Sequence, residues 1–232
     1  KKTMKTIGII GGMSHESTAL YYQIINREVN RRLGSNHSAD IVMHSVDFEK
    51  IVQMQRASDW VLAGETLAAS ARKLEQAGAD VLLLTTNTMH KVANIIQQSV
   101  SIPFLHVIDS TAIAIKEQGL DSVALLGTRF TMSDGFYVER MAEHGLNIIL
   151  PDDAQQDEIH RIIFEELCLN HIEAESRQYY QQVADYLKQQ GAQGLILGCT
   201  EICLLLNADN VPLPVFDSTQ IHALAAVNWA LA

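Results

Sequence analysis

The sequence predicts an α/β protein of two pseudo-symmetric lobes, each a parallel sheet flanked by helices, with the active site in the inter-lobe cleft. Three observations lead there. The chain repeats itself: Leu74-Glu-Gln-Ala-Gly-Ala-Asp-Val-Leu-Leu-Leu-Thr-Thr-Asn-Thr88 recurs as Leu187-Lys-Gln-Gln-Gly-Ala-Gln-Gly-Leu-Ile-Leu-Gly-Cys-Thr-Glu201. The openings of the two halves match as well, Thr6-Ile-Gly-Ile-Ile-Gly-Gly-Met13 against Ser122-Val-Ala-Leu-Leu-Gly-Thr-Arg129. Finally, short apolar runs alternate with longer amphipathic ones, the pattern of strands and helices in a parallel sheet.

Taken in order, strands are expected near 5–10, 39–46, 80–85, 104–107, 122–127, 147–150, 194–198 and 213–216. They are apolar on both faces, as helices covering both sides of a sheet require. Helices are expected over 15–32, 60–77, 88–98, 110–118, 133–144, 154–168, 172–190 and 218–231. Ser14, Asp59, Asp109, Ser133 and Asp217 read as N-caps. Gly34, Gly78, Gly119, Gly145 and Gly191 follow helix ends, where a left-handed residue closes the last turn. No Pro/Gly/Ser-rich linker separates the halves. The last strand and helix are expected to return to the first lobe, giving a division into 1–103 plus 213–232 and 104–212.

Composition narrows the function classes. Seventeen Lys and Arg against 27 Asp and Glu leave a net charge of −10, which disfavours nucleic acid and anionic membrane surfaces as partners. Apolar runs such as 81–84 and 195–197 are strand-length, far short of the roughly 20 residues that span a bilayer. The start, Lys-Lys-Thr-Met-Lys-Thr-Ile-Gly, leads straight into a strand without the apolar region of a signal peptide. Three cysteines, Cys168, Cys199 and Cys203, make no disulfide framework. A cytoplasmic, reduced protein is expected.

Ligands of open α/β sheets bind beyond the carboxyl ends of the strands. That rule selects the loops at 11–14, 47–55, 86–90, 127–131 and 199–201. Gly198-Cys-Thr-Glu201 follows a buried strand and precedes a short apolar helix, so the Cys199 thiol is expected to sit at a helix N-terminus with a lowered pKa. Cys168 and Cys203 fall within helical patterns and are expected to pack. Thr86-Asn-Thr-Met-His90 is the equivalent strand end in the first half; its hydroxyls and amide suit a carboxylate or oxyanion, or serve as an ordinary helix cap. His90, one turn into the helix, is expected to pack or face solvent. Gly127-Thr-Arg-Phe-Thr131 pairs with Gly11-Gly-Met-Ser14, and neither is a dinucleotide fingerprint. No zinc or calcium spacing appears. Asp109, Asp217 and His222 read as capping and packing residues; a Cys199–His222 dyad lacks an orienting third residue.

On these residues the chain resembles the aspartate/glutamate racemase family, and most of all its bacterial members specific for L-aspartate and L-glutamate. The resemblance runs from Met4 to the C-terminus through 11–14, 44–48 (His-Ser-Val-Asp-Phe), 86–90, 126–131, 163–167, 198–201 and 214–217; residues 1–3 are expected to lie outside the native start. It implies a cofactor-independent enzyme with no PLP and no metal, a homodimer, and two cysteines acting on opposite faces of the α-carbon. Cys199 matches one of them. Thr86 stands where the other is expected, so two-way racemisation should be asymmetric. A hydroxyl is a poor base near neutral pH but a competent proton donor to a carbanion. Cys199 is therefore expected to take the α-proton from the L enantiomer, with Thr86 on the other face. Met13, Gln55, Asn87, Thr88, Thr128, Thr131, Glu166, Thr200 and Glu201 are the expected substrate contacts. Gln55 stands near the substrate side chain, next to Arg56, in a region where other members carry a basic residue. Two alternatives remain: a related-family racemase or isomerase acting on a hydantoin or maleate, and a catalytically inactive amino-acid-binding protein.

Overall fold

The computed structural model describes residues 4–232. The chain forms two compact units, one made of the chain up to Val107 together with His222–Ala232, the other of Ile108–Ile221.

In the first unit the order is β1 (Ile7–Gly11), α1 (His15–Leu33), β2 (Ile41–Ser45), α2 (Phe48–Arg56), α3 (Trp60–Gln76) and β3 (Val81–Leu84). A 3-10 turn, Thr88–Val92, then runs into α4 (Ala93–Gln98) and β4 (Phe104–Leu105). All four strands are parallel, in the order β2-β1-β3-β4. Side chains alternate across a strand, and this sheet divides its residues accordingly. Ile7, Ile9, Val81 and Leu83 pack on one face against Tyr21, Ile25 and Val29 of α1. Ile10, Leu82 and Leu84 pack on the other against Ala63, Leu67, Ala71 and Leu74 of α3. Each such Leu or Ile, fully buried, contributes about 1.5–3 kcal/mol. Both faces being covered explains why these strands read as unbroken apolar runs.

The second unit repeats the plan. It contains α5 (Val107–Glu117), β5 (Ser122–Leu126), α6 (Arg129–Ser133), α7 (Phe136–Glu143), β6 (Asn147–Ile149) and α8 (Asp153–Glu165). A 3-10 turn (Leu167–Leu169), α9 (Ala174–Gln189), β7 (Leu195–Leu197), a further 3-10 turn (Thr200–Leu204), β8 (Val215–Asp217) and α10 (Ser218–Leu231) complete the chain. The sheet is again parallel, in the order β6-β5-β7-β8. Reading β5 for β1 and β7 for β3, the two topologies are the same. The duplication seen in the sequence is a duplication of fold.

Several expectations are corrected. The division at 103/104 and 212/213 moves to 107/108 and 221/222, because β4 pairs with β3 (Leu82 with Phe104) and β8 pairs with β7 (Leu195 with Val215). Each sheet keeps its own fourth strand, and from His222 onward the last helix belongs with the first unit, where Ala223, Ala226, Val227 and Ala230 pack on its sheet. A helix not expected, α2, fills most of the 47–55 loop. Asp109 lies inside α5 rather than at its cap, and its carboxylate takes Arg140 at 2.7 Å and His144 at 2.7 Å. Ser133 ends α6; the cap there is Thr128, which accepts from the Thr131 N–H. The expected caps Ser14, Asp59 and Asp217 do accept from N–H groups of the turns that follow.

Candidate functional site

In the first unit the candidate residues follow β1 and β3. Gly11 lies against Thr18, whose Cγ2 would stand 2.5 Å from a Cβ at that position. This close approach lets the Gly12 N–H donate to the Thr18 hydroxyl at 2.9 Å, and that hydroxyl shares a 2.8 Å bond with Thr85. Gly12 itself has φ +96°, and the Val46 carbonyl would meet its Cβ at 2.5 Å. A buried chain of hydroxyls thus ties the end of β1 to the end of β3. Ser17 adds a bond from its hydroxyl to the Thr85 carbonyl, 3.1 Å. Beyond this network Thr86, Asn87 and Thr88 are half-buried, while Met89 and His90 are buried. Met13 is buried too. Gln55, at the end of α2, donates to the Met89 sulfur at 3.1 Å. Arg56 beside it is exposed, and Lys91 stands 4.7 Å over the Trp60 ring.

In the second unit the equivalent strand ends carry Gly127–Thr131 and Gly198–Glu201. Thr128 donates its hydroxyl hydrogen to Thr131 Oγ1 at 3.2 Å, with Thr131 fully buried. The Arg129 guanidinium is held by Gln156 at 2.8 Å and by Asp153 at 3.2 Å. Its backbone N–H donates to His160 Nδ1 at 2.9 Å, which leaves the imidazole proton on Nε2. Burial lowers the pKa of His160, opposed by Asp157. Glu166 is engaged by Arg161 at 3.0 Å and by the Ser176 hydroxyl at 2.5 Å. Its carboxylate holds the end of α8 to the start of α9.

Cys199 is the residue whose chemistry differs most from expectation. It closes β7 with an extended backbone and precedes a five-residue 3-10 turn rather than an α-helix. Its Sγ–H donates to Glu201 Oε2 at 2.9 Å, and the Thr200 hydroxyl donates to the same oxygen at 2.9 Å. Burial, followed by the charge of Glu201, pushes the thiol pKa well above its ordinary value. The expected lowering by a helix dipole is overturned. A single 3-10 turn carries little aligned dipole, and a carboxylate in contact outweighs it. The resting group is a thiol with a proton acceptor in place. Cys168 and Cys203, expected to be buried, are exposed.

The first and second units therefore present matching strand ends, Thr86-Asn-Thr after β3 and Cys199-Thr-Glu after β7. Sequence reasoning did not single out Thr18, Ser17 or Thr85, which fix the first of these. The available signal was Thr18 on the buried stripe of α1 with Tyr21, Ile25 and Val29, a hydroxyl where the helix period asks for an apolar group. Among the described residues no cluster of three or more His, Cys, Asp or Glu is arranged to hold a metal ion, and no helix is long and apolar enough to cross a membrane.

A family model described as Asp/Glu/Hydantoin racemase matches residues 10–226. The broad specificity amino-acid racemase RacX of Bacillus subtilis (strain 168) is 26% identical over 97% of this chain and 98% of its own length. A crystal structure from Yersinia pestis, provisionally named an Asp/Glu racemase, is 50% identical with a TM-score of 0.96, covering 99% of this chain and 100% of that one. An aspartate racemase homologue from Pyrococcus horikoshii OT3 is 34% identical, with a TM-score of 0.87 over 98% of this chain and 99% of that one.

Proposed function

Because the chain belongs to the Asp/Glu/hydantoin racemase family, we propose that it racemises an acidic amino acid, aspartate or glutamate, without a cofactor. In this reading Cys199 removes the α-proton of the L enantiomer and Thr86 serves the opposite face. The observation that carries it is the Cys199 thiol, poised at the end of β7 with its proton already directed at Glu201 Oε2.

The steps balance as follows. The thiol proton passes to the Glu201 carboxylate, and the thiolate takes the α-proton. The electron pair of the broken C–H bond spreads into the α-carboxylate. The Thr86 hydroxyl gives its proton to the other face. Glu201 then releases its proton to solvent while solvent reprotonates Thr86, so that Cys199, now holding the former α-proton, is again a thiol beside a carboxylate. Glu201, expected as a substrate contact, is on this reading the acceptor that makes a half-buried thiol of raised pKa usable. Such general-base help is worth about 10²–10⁴-fold in rate.

The carbanion is the difficult species, and preorganised donors around the α-carboxylate have to hold it. Asn87, Thr88, Thr128 and Thr200 are assigned that role. All four stand at strand ends, half-buried, where hydroxyls and amides act in a low-dielectric setting. Gln55 is assigned to the substrate side chain; an amide there accommodates neutral as well as acidic groups. The Bacillus relative, named a broad specificity amino-acid racemase, supports including neutral amino acids in the substrate screen. A cytoplasmic homodimer completes the reading.

The test is direct. L-glutamate and L-aspartate are each incubated with the purified protein and separated on a chiral column. Appearance of the D enantiomer is expected from at least one of them; its absence from both after long incubation overturns the assignment.

A further inference from the structure

His90 is a buried titratable side chain with no part in the steps above. Resting on the racemase reading, we propose that it is a positioning residue: its neutral ring clamps the Thr86 carbonyl and so aims the Thr86 hydroxyl at the α-carbon.

The argument starts from the backbone. Where a side chain points is set by its Cα–Cβ bond, and that bond is fixed once the peptide planes on either side are fixed. The plane before Thr86 contains the Thr85 carbonyl, which accepts from the Ser17 hydroxyl at 3.1 Å. The plane after it contains the Thr86 carbonyl, which lies 2.6 Å from His90 Nδ1. Both planes are therefore held by side chains.

The ring's tautomer follows from its second bond. The Val107 backbone N–H points at His90 Nε2 at 3.2 Å. A backbone N–H only donates, so Nε2 carries a lone pair and Nδ1 carries the proton. That proton is the one donated to the Thr86 carbonyl. A doubly protonated ring would set two N–H groups against each other at Val107, so the clamp works only as the neutral form. Its surroundings suit a neutral ring: Phe104 at 5.7 Å, His106 at 4.6 Å and His222 at 5.7 Å between ring centres. His90 is 3% exposed. His222 is locked the other way, its Nε2–H donating to the Leu105 carbonyl and its Nδ1 accepting from the Tyr21 hydroxyl.

The consequence is specific to one half of the reaction. In D₂O, Cys199 alone can exchange the α-proton of an L substrate, taking hydrogen and returning deuterium on the same face. Inversion also requires the Thr86 hydroxyl. A loosened Thr86 should spare exchange with retention and depress inversion. General destabilisation lowers both together.

The experiment measures the ratio of retention exchange to inversion for L-glutamate and L-aspartate in D₂O, by NMR and chiral separation. His90→Asn keeps a donor at the Nδ1 position and should leave the ratio near that of the unaltered protein. His90→Gln places its amide at the Nε2 position and should raise the ratio, up to about a hundredfold, the scale of misplacing a reacting group by about an ångström. Ser17→Ala, which releases the other peptide plane, should raise it in the same direction and keeps the test decisive should His90→Gln not fold. A ratio that stays flat in the folded variants while the unaltered protein racemises overturns the clamp alone. No exchange by the unaltered protein with either amino acid overturns the racemase reading, and the clamp with it.

Discussion

Acid should destabilise this protein through one buried histidine, His222. It is fully buried in α10, and burial pulls its pKa from 6.5 down to about 4, with the Leu105 carbonyl opposing the shift. The unfolded chain therefore binds the proton first as the pH falls. The neutral ring's contribution is complete above about pH 6.5 and is lost progressively as the pH drops toward about 4. A gap of about 2.5 pKa units corresponds to about 3 kcal/mol at most. Between about pH 7.5 and about pH 5 the loss is about 2 kcal/mol, because the folded form is still largely unprotonated at the lower value. Other groups titrate in the same range, so the measurement is a difference. Urea unfolding at the two pH values is compared for the unaltered protein and for His222→Gln, whose amide does not titrate. The variant should lose about 2 kcal/mol less stability on acidification. Equal losses would refute the assignment of a depressed His222, and a larger loss in the variant would reverse its sign.

Two further outcomes follow from the site. Glu201→Gln removes the neighbouring charge and should lower the Cys199 pKa, so iodoacetamide labels Cys199 faster at a fixed near-neutral pH in a Cys168→Ser, Cys203→Ser background. The same variant should lose about 10²–10⁴-fold in turnover for want of a proton acceptor; faster labelling with unchanged turnover would remove Glu201 from the chemistry. Thr86→Cys supplies a group that ionises more readily on the second face and should raise the initial rate from the D enantiomer relative to the L. Equal rates from L and D before the substitution would show that the Thr86 hydroxyl is already a working base.

The duplication and the strand–helix alternation were legible because they rest on period and order. Leu82, Leu83 and Leu84 are apolar wherever they point, and the Gly-Ala turns before β3 and β7 are alike in both halves. The last helix, 218–231, was legible to the residue, framed by Asp217 and the chain's apolar ending. What the sequence concealed was mostly tertiary. The pairing of β8 with β7 depends on which edge the chain reaches, and nothing local in Pro214-Val-Phe-Asp217 states it. Helix α2 did carry a helical signal, Phe48, Ile51 and Val52 at the i, i+3, i+4 spacing, but it runs only nine residues and fully buries Ile51 alone, and the expectation passed over it. Thr128 and Ser133 both suit an N-cap; the choice depended on the break at Gly135, which divides α6 from α7 at φ +101°. At the site, Thr86 and Cys199 stood out through the repeat. The raised pKa of Cys199 did not, because it comes first from the burial of the thiol and then from the charge of Glu201, whose Oε2 the fold brings within 2.9 Å. His90 was visible only as a histidine on a helical turn; its two backbone partners lie 4 and 17 residues away.

The central claim is that Cys199 carries a proton to and from the α-carbon of an acidic amino acid. Proton NMR of L-glutamate and L-aspartate in D₂O, with no added PLP, ATP or metal, reads that step directly. The account predicts that the α-proton signal of at least one substrate disappears with the unaltered protein, survives with Cys199→Ala, and disappears normally with Cys168→Ala and Cys203→Ala. Persistence of both signals with the unaltered protein, or their loss with Cys199→Ala, would contradict it.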